Sequence, residues 1–301
     1  MTAKPFDVVI LTEDRYARPD LEDWYQAQIA REDGLVADAL QALGLRVARR
    51  SWSDPAMDWR ACRSLLFRST WDYFDRFSEF SPWLDAVSAQ TRLFNDAGLI
   101  RWNVDKHYLA DLAARGVAIV PTRFAARGEA ATLAAIMARQ GWDEIVFKPV
   151  VSGAARLTYR VSAASLAAHE PVFARCLARE AMMVQRFEPG ILADGELSLI
   201  VIDGHTTHAI RKTARAGDFR VQDDHGGTVH AHAPSAEERA FAEAAVAACP
   251  SLPLYARVDF VRDGGGGFRL MELELVEPEL FFRFHPPAAD TLARALAEKL
   301  R

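Results

Sequence analysis

The 301-residue chain, 50% hydrophobic and 26% charged, is long enough for two or three subdomains and has the composition of an ordinary globular protein. Its 36 basic and 41 acidic side chains leave a net charge of −5 with no dense basic stripe, which argues against nucleic-acid binding. The longest apolar runs, such as Leu197 to Ile202, are strand-length, so no membrane span is expected, and the N-terminus MTAKPFDVVILTED lacks the features of a signal peptide.

FDVVILT reads as a first strand, Trp24 to Leu43 as an amphipathic helix ended by Gly44, and LRVARRSW as the next strand. SLLFRST is a further strand, Ser81 to Thr91 a helix begun by Ser-Pro, and RLFN a short strand. This alternation predicts an open, doubly wound α/β unit over residues 1–102, whose ligands sit at the carboxyl ends of the strands. There, in LLFRSTWDY, Arg68, Trp71 and Asp72 are candidates to hold a small polar ligand, or else form a buried aromatic cluster with an Arg–Asp pair. Three widely spaced cysteines, Cys62, Cys176 and Cys249, have no metal-ligand or redox spacing and read as reduced thiols of a cytoplasmic protein.

A second block, residues 103–182, opens with a helix capped by Asn103. It continues through a strand at Val117 to Pro121, a helix from Glu129 to Gln140, the strands IVFKPVV and RLTYRV, and a helix from Ala164 to Arg179. Lys106 falls in the first turn of the opening helix, against the macrodipole, unless an anion binds at the same end. Lys148 lies inside an apolar strand and needs a partner, or else guards a sheet edge. The small residues after it, including Ser152 and Gly153, let backbone approach a ligand closely.

A third block, residues 183–301, starts with AMMVQRF and holds a hairpin turning at Asp203-Gly204. Folded symmetrically, it sets Glu196 opposite Arg211. That pair is either functional or a structural cross-strand ion pair. A Gly- and charge-rich loop from Ala214 to Thr228 carries Arg220, whose planar fork suits phosphate or carboxylate oxygens. His225, His230 and His232 raise a weaker transition-metal reading, and with it a metal hydrolase.

The segment YARVDFVRDGGGGFRLMELELVEPELFF gives the sharpest signal. Two alternating runs flank four glycines. Folding about Gly265 and Gly266 sets Asp259 opposite Glu272 and Arg257 opposite Glu274. Asp259, Glu272 and Glu274 then share one face, while Val258, Phe260, Met271, Leu273 and Leu275 fill the other. Carboxylates ~5 Å apart repel by roughly 3 kcal/mol at an effective dielectric of 20. A divalent cation removes that cost, and all-oxygen ligands suit Mg²⁺ or Mn²⁺. The plainer reading is a solvated acidic face partly neutralised by Arg257.

The order of these elements resembles the ATP-grasp superfamily from about Asn103 to Phe282, with an α/β domain before it. RSTWDY, RWNVDKHYL, FKPVVSGA and ELELVEPELFFR look most like the subgroup containing the O-ureido-serine cyclo-ligase of cycloserine biosynthesis. The resemblance implies an ATP-grasp fold and an ATP-dependent carboxylate–amine ligase or cyclo-ligase. It would use ATP and Mg²⁺ (with Mn²⁺ admissible), take small-molecule carboxylate and amine partners, and be compatible with a homodimer. It implies that Lys106, Lys148, Ser152, Gly153, Gln185, Arg186, Phe187 and Glu196 bind ATP. Arg211 and Arg220 would act on the transferring phosphoryl group, and Asp259, Glu272 and Glu274 would hold the metal. Arg68, Asp72, Gly226, Gly227 and Glu277 would contact the other substrate. The single glycine of VSGAARLT departs from relatives that carry two or more. A protein that keeps this fold for nucleotide binding without turnover is the alternative.

Overall fold

The computed structural model describes residues 4–215, 217–221 and 226–301 and is a mixed α/β fold of three sheets. The first is parallel, in the order β2-β1-β3-β4, from β1 (Phe6–Thr12), β2 (Val47–Ser51), β3 (Cys62–Ser69) and β4 (Arg92–Phe94). Val8 to Leu11 are fully buried, as a central parallel strand requires when both its faces are covered. The helix Trp24–Ala42 starts at Asp23, whose carboxylate accepts from the N–H groups of Tyr25 and Gln26. The helix expected from Ser81 begins earlier, at Phe77, because Phe80, Leu84 and Val87 form one buried stripe and the chain accommodates Pro82 within it.

The second sheet is antiparallel, in the order β5-β8-β6-β7, from β5 (Thr122–Ala125), β6 (Glu144–Pro149), β7 (Tyr159–Ser162) and β8 (Met182–Arg186). Helices Leu133–Gln140 and Leu166–Leu177 share a core with it around Phe147, Val161, Phe173 and Val184. The strand expected at Val117 to Pro121 falls later, because Ala118 and Val120 exchange backbone hydrogen bonds with Leu270 before the chain enters this sheet. The helix expected from Glu129 starts at Leu133. Thr132 caps it, and the Glu129 carboxylate is taken by Arg123 and the Ala126 N–H.

The third sheet is antiparallel, in the order β11-β10-β9-β12-β13, from β9 (Glu196–Ile202), β10 (His205–Thr213), β11 (Thr228–His232), β12 (Tyr255–Arg262) and β13 (Phe268–Glu274). Its central strand β9 is buried along its whole length. One apolar cluster joins this sheet to helix Ala236–Ala247, and another joins it to helices Trp24–Ala42 and Pro287–Leu300 and the first sheet. Polar clamps lock the first sheet to the third. Asn95 Nδ2 donates to the carbonyls of Tyr255 (3.0 Å) and Leu275 (2.8 Å), and the buried Tyr255 hydroxyl reaches the carbonyls of Phe67, Phe94 and Val276. Among the described residues no helix is long and apolar enough to cross a membrane.

Candidate active site

A cavity of about 620 Å³ opens between the three sheets, within the size range of small-molecule sites. Its floor is the β12–β13 hairpin. The expected pairing is present, with Asp259 opposite Glu272 and Arg257 opposite Glu274. The loop is shorter than symmetry requires, since Arg262 pairs with Phe268, and a bulge at Met271 makes up the difference. That bulge moves Met271 off the core face. It lines the cavity instead and packs against the Phe187 and Val221 cluster.

The three carboxylates are not equivalent. Glu272 and Glu274 line the cavity, but Asp259, expected as a third metal ligand, lies behind the wall. The Arg257 guanidinium grips Asp259 at 2.9–3.0 Å, the Ser198 hydroxyl donates to it, and Lys212 Nζ stands 3.5 Å away. Arg257 also pairs with Glu274. Lys106 Nζ lies 3.0 Å from Glu272 Oε1, and Lys148 Nζ 3.3 Å from Glu272 Oε2. Lys148 therefore has its acidic partner on the third sheet, at a distance in sequence that no local motif reveals.

Lys106 does not begin a helix. Helix Ala97–Asn103 ends just before it, and the Asn103 side chain, expected as a cap, bonds Leu273 O (2.7 Å) at the end of β13 and Leu275 N (2.8 Å) just beyond it. The backbone N–H of Lys106 donates to Val150 O and its ammonium to Ser152 O, which carries the lysine onto the small-residue loop. That loop turns through left-handed conformations at Ala154, Ala155 and Leu157, φ +47°, +54° and +48°. Gly153 is required by contact, since a Cβ there would stand 2.6 Å from the Phe74 ring.

On β9 and β10 the expected pair is replaced. Glu196 faces Lys212, and Arg211 pairs with Leu197, because a register shift between Thr206 and His208 displaces β10 by one residue. Lys212 Nζ is 2.6 Å from Glu196 Oε1 with both side chains buried, whereas Arg211 is exposed on the other face and does not line the cavity.

Gln185, Arg186, Phe187 and Glu188 form one cavity edge, with the Arg160 guanidinium 3.8 Å over the Phe187 ring. Arg220 lines the cavity and pairs with Asp218 at 2.7 Å. Gly226 and Gly227 do not line it. Arg68 and Asp72 do not line it either, and the carboxyl end of β3 explains why. Arg68 turns inward against Asp33 and the Pro278 carbonyl, and Asp72 accepts from Trp52 Nε1 (2.7 Å) and Arg76 (2.8 Å). Trp71, Tyr73, Phe74 and Asp75 of the same loop face the cavity in their place. Trp71 and Arg257 were legible in the sequence, whereas Lys212, Tyr73, Phe74 and Asp75 escaped sequence reasoning. Only the adjacency of Lys212 to Arg211 hinted at any of them. His230 and His232 go to different partners, Thr228 and Glu238, and His225 lies outside the described residues.

Burial works to raise every carboxyl here, and the cations decide the outcome. Glu272 is nevertheless held low, because Lys106 and Lys148 overturn the effect of burial. Asp259 is likewise held low by Arg257 and Lys212. Burial raises Glu274 to about 7 even beside Arg257, and raises Glu277 to about 8, helped by Glu274. Among the described residues no three His, Cys, Asp or Glu side chains form a metal cage. Two cavity-facing carboxylates still fit Mg²⁺, which is bound through one or two carboxylates plus waters and phosphate oxygens.

Comparison with known proteins agrees with this architecture. Residues 8–95 match the family model described as the N-terminal domain of D-cycloserine synthetase DcsG. The chain is 34% identical over 282 residues to the cycloserine biosynthesis protein DcsG of Streptomyces lavendulae, covering 88% of this chain and 92% of that protein. The crystal structure of D-cycloserine synthetase DcsG superposes with a TM-score of 0.84 at 31% identity, over 98% of this chain and 99% of that one. D-alanine–D-alanine ligase from Bacillus anthracis, at 15% identity and TM-score 0.67 over 98% and 97% of the two chains, shares the fold. The chain therefore belongs to the DcsG family of ATP-grasp ligases, enzymes that form C–N bonds.

Proposed function

We propose that this enzyme uses ATP to activate the carboxylate of a small amino acid as an acylphosphate, which a side-chain nitrogen of the same molecule then attacks, expelling phosphate and closing a ring. The observation that carries this reading is the convergence of Lys106 and Lys148 on Glu272, beside Glu274, in the cavity wall. Lysines so placed exchange a carboxylate for the phosphates of ATP when the nucleotide enters. The adenine would lie along Gln185 to Glu188, and its phosphates under Ser152 and Gly153. Family membership supports ring closure, since the matched relatives are named for cycloserine synthesis.

Glu272 and Glu274 would hold Mg²⁺, which neutralises phosphate charge and keeps the phosphoryl group in line. Asp259 acts behind them, holding Arg257 so that its guanidinium stays against Glu274. Lys212, in the place expected of Arg211, pairs with Glu196 against the burial that raises it and helps hold Asp259 low. Arg220 stands at the cavity wall, where its fork would stabilise charge on the transferring group. The walls contributed by residues 1–102, 103–182 and 183–301 would shield the acylphosphate from water. A screen of amino acids for Mg-dependent ADP release tests the proposal. Stimulation by a carboxylic amino acid, O-ureido-D-serine first among them, is the expected result. Release unaffected by every candidate would remove the ligase reading.

A further inference from the structure

One end of the cavity carries side chains that phosphate binding does not use. In the order β2-β1-β3-β4 the succession of strands reverses between β1 and β3, and open α/β sheets bind ligands at the carboxyl ends flanking such a reversal. There Tyr16 follows β1, Trp71 follows β3, and Tyr25 comes from helix Trp24–Ala42. Their rings form one cluster, with Tyr16 and Trp71 5.8 Å apart at 75°, Tyr25 and Trp71 6.2 Å apart, and Tyr16 and Tyr25 6.4 Å apart. All three line the cavity.

The cluster is fastened to a carboxyl group. Trp71 Nε1 donates to the backbone carbonyl of Glu277 at 2.9 Å, and the buried Tyr73 lies near the Glu277 carboxyl, which faces the cavity. The Arg15 guanidinium lies 5.3 Å over the Tyr16 ring, so one face of the cluster already takes a cation. Glu277 also senses the charge of Lys106, which places this end next to the phosphate-binding lysines. An α-amino acid has the matching layout, with its ammonium one carbon from its carboxylate.

The geometry points to Tyr16, Tyr25, Trp71 and Glu277 as the subsite for the ammonium group of the substrate. The rings attract the cation through their faces, and Glu277, which releases its proton to solvent as the cation arrives, accepts its N–H bonds. The direction of the carboxylate rests on the ligase reading above, whereas the ammonium subsite stands on its own geometry. Selectivity follows, because a substrate that exchanges its ammonium for a hydroxyl loses the attraction of the rings and keeps only a neutral hydrogen bond to Glu277.

Calorimetry in the presence of Mg-AMPPNP tests the subsite, with O-ureido-D-serine and its 2-hydroxy analogue as probes. The wild type is expected to bind the amino acid at least tenfold tighter than the hydroxy acid. Glu277→Gln and Tyr25→Leu should each compress that ratio to within threefold while AMPPNP affinity stays unchanged. Trp71→Leu is a third variant, admitted only if its AMPPNP affinity shows the fold intact. Equal binding of the two probes by the wild type, binding of neither, or a ratio that survives both substitutions would overturn the assignment. A wild type that shows the preference yet releases no ADP would support the subsite and remove the ligase reading instead.

Discussion

Replacing Lys212 by Met keeps the packing of its stem but removes the ammonium that lies 2.6 Å from Glu196 and 3.5 Å from Asp259. Asp259 keeps Arg257 as a partner, so Glu196 is the group left uncompensated. Buried beyond solvation, it takes up a proton instead. Burial already raises Glu196 above its ordinary value of 4.5 in the wild type, so losing the ammonium adds at most about 3.4 kcal/mol at pH 7, at about 1.4 kcal/mol per pH unit. That agrees with the roughly 3–5 kcal/mol seen when one partner of a buried pair is lost. Arg211→Met, on the exposed face one residue away, should cost no more than about 0.5 kcal/mol. Urea denaturation of both ligand-free variants at pH 7 measures the contrast, and repetition at pH 5 should shrink the Lys212→Met deficit to about 1 kcal/mol. Equal losses for the two variants, or a larger one for Arg211→Met, would refute the bulged register and the role given to Lys212.

Glu277 holds its proton more tightly in the folded protein, at about 8 against an ordinary 4.5, so its stabilising contribution is complete below pH 4.5 and is lost as pH rises through 8. The ligand-free protein should therefore weaken between pH 6 and 8.5 by up to about 1.4 kcal/mol per pH unit, and Glu277→Gln should flatten that slope in denaturation midpoints. Lys148→Ala should raise the Kd for ATP at least tenfold and leave amino-acid binding nearly unchanged; equal ATP affinity in calorimetry would sink its assignment. Asn103→Ala strips two buried hydrogen bonds from the end of β13 and just beyond it, and a loss of about 2–4 kcal/mol in urea is expected, with a weaker response of turnover to Mg²⁺.

The two hairpins show where sequence reasoning reaches and where it stops. Both have clear turns and period-2 runs, and both carry a bulge. In the β12–β13 hairpin the bulge and the short loop compensate, so symmetrical folding found the pairing of Asp259 with Glu272. In the β9–β10 hairpin nothing compensates, and since residues 211 and 212 are both cationic, a one-residue slip went unmarked by any clash of polarity. The loop after β3 was legible as a ligand-facing place, but not which of its side chains would turn inward. Arg68 and Asp72 found partners on Asp33, Trp52 and Arg76, all distant in sequence. The partners of Lys106 and Lys148 were hidden for the same reason, since Glu272 lies 166 and 124 residues away in the chain. The fold itself was readable because strand and helix alternation is a local property.

The central claim is that a substrate carboxylate takes the terminal phosphoryl group of ATP. Substrate labelled with oxygen-18 in its carboxylate tests this most directly, with phosphorus NMR and mass spectrometry on the released products. Transfer of one labelled oxygen to inorganic phosphate, with ADP as co-product, is the result the account predicts. Label appearing in AMP, or no label in phosphate during turnover, would contradict it.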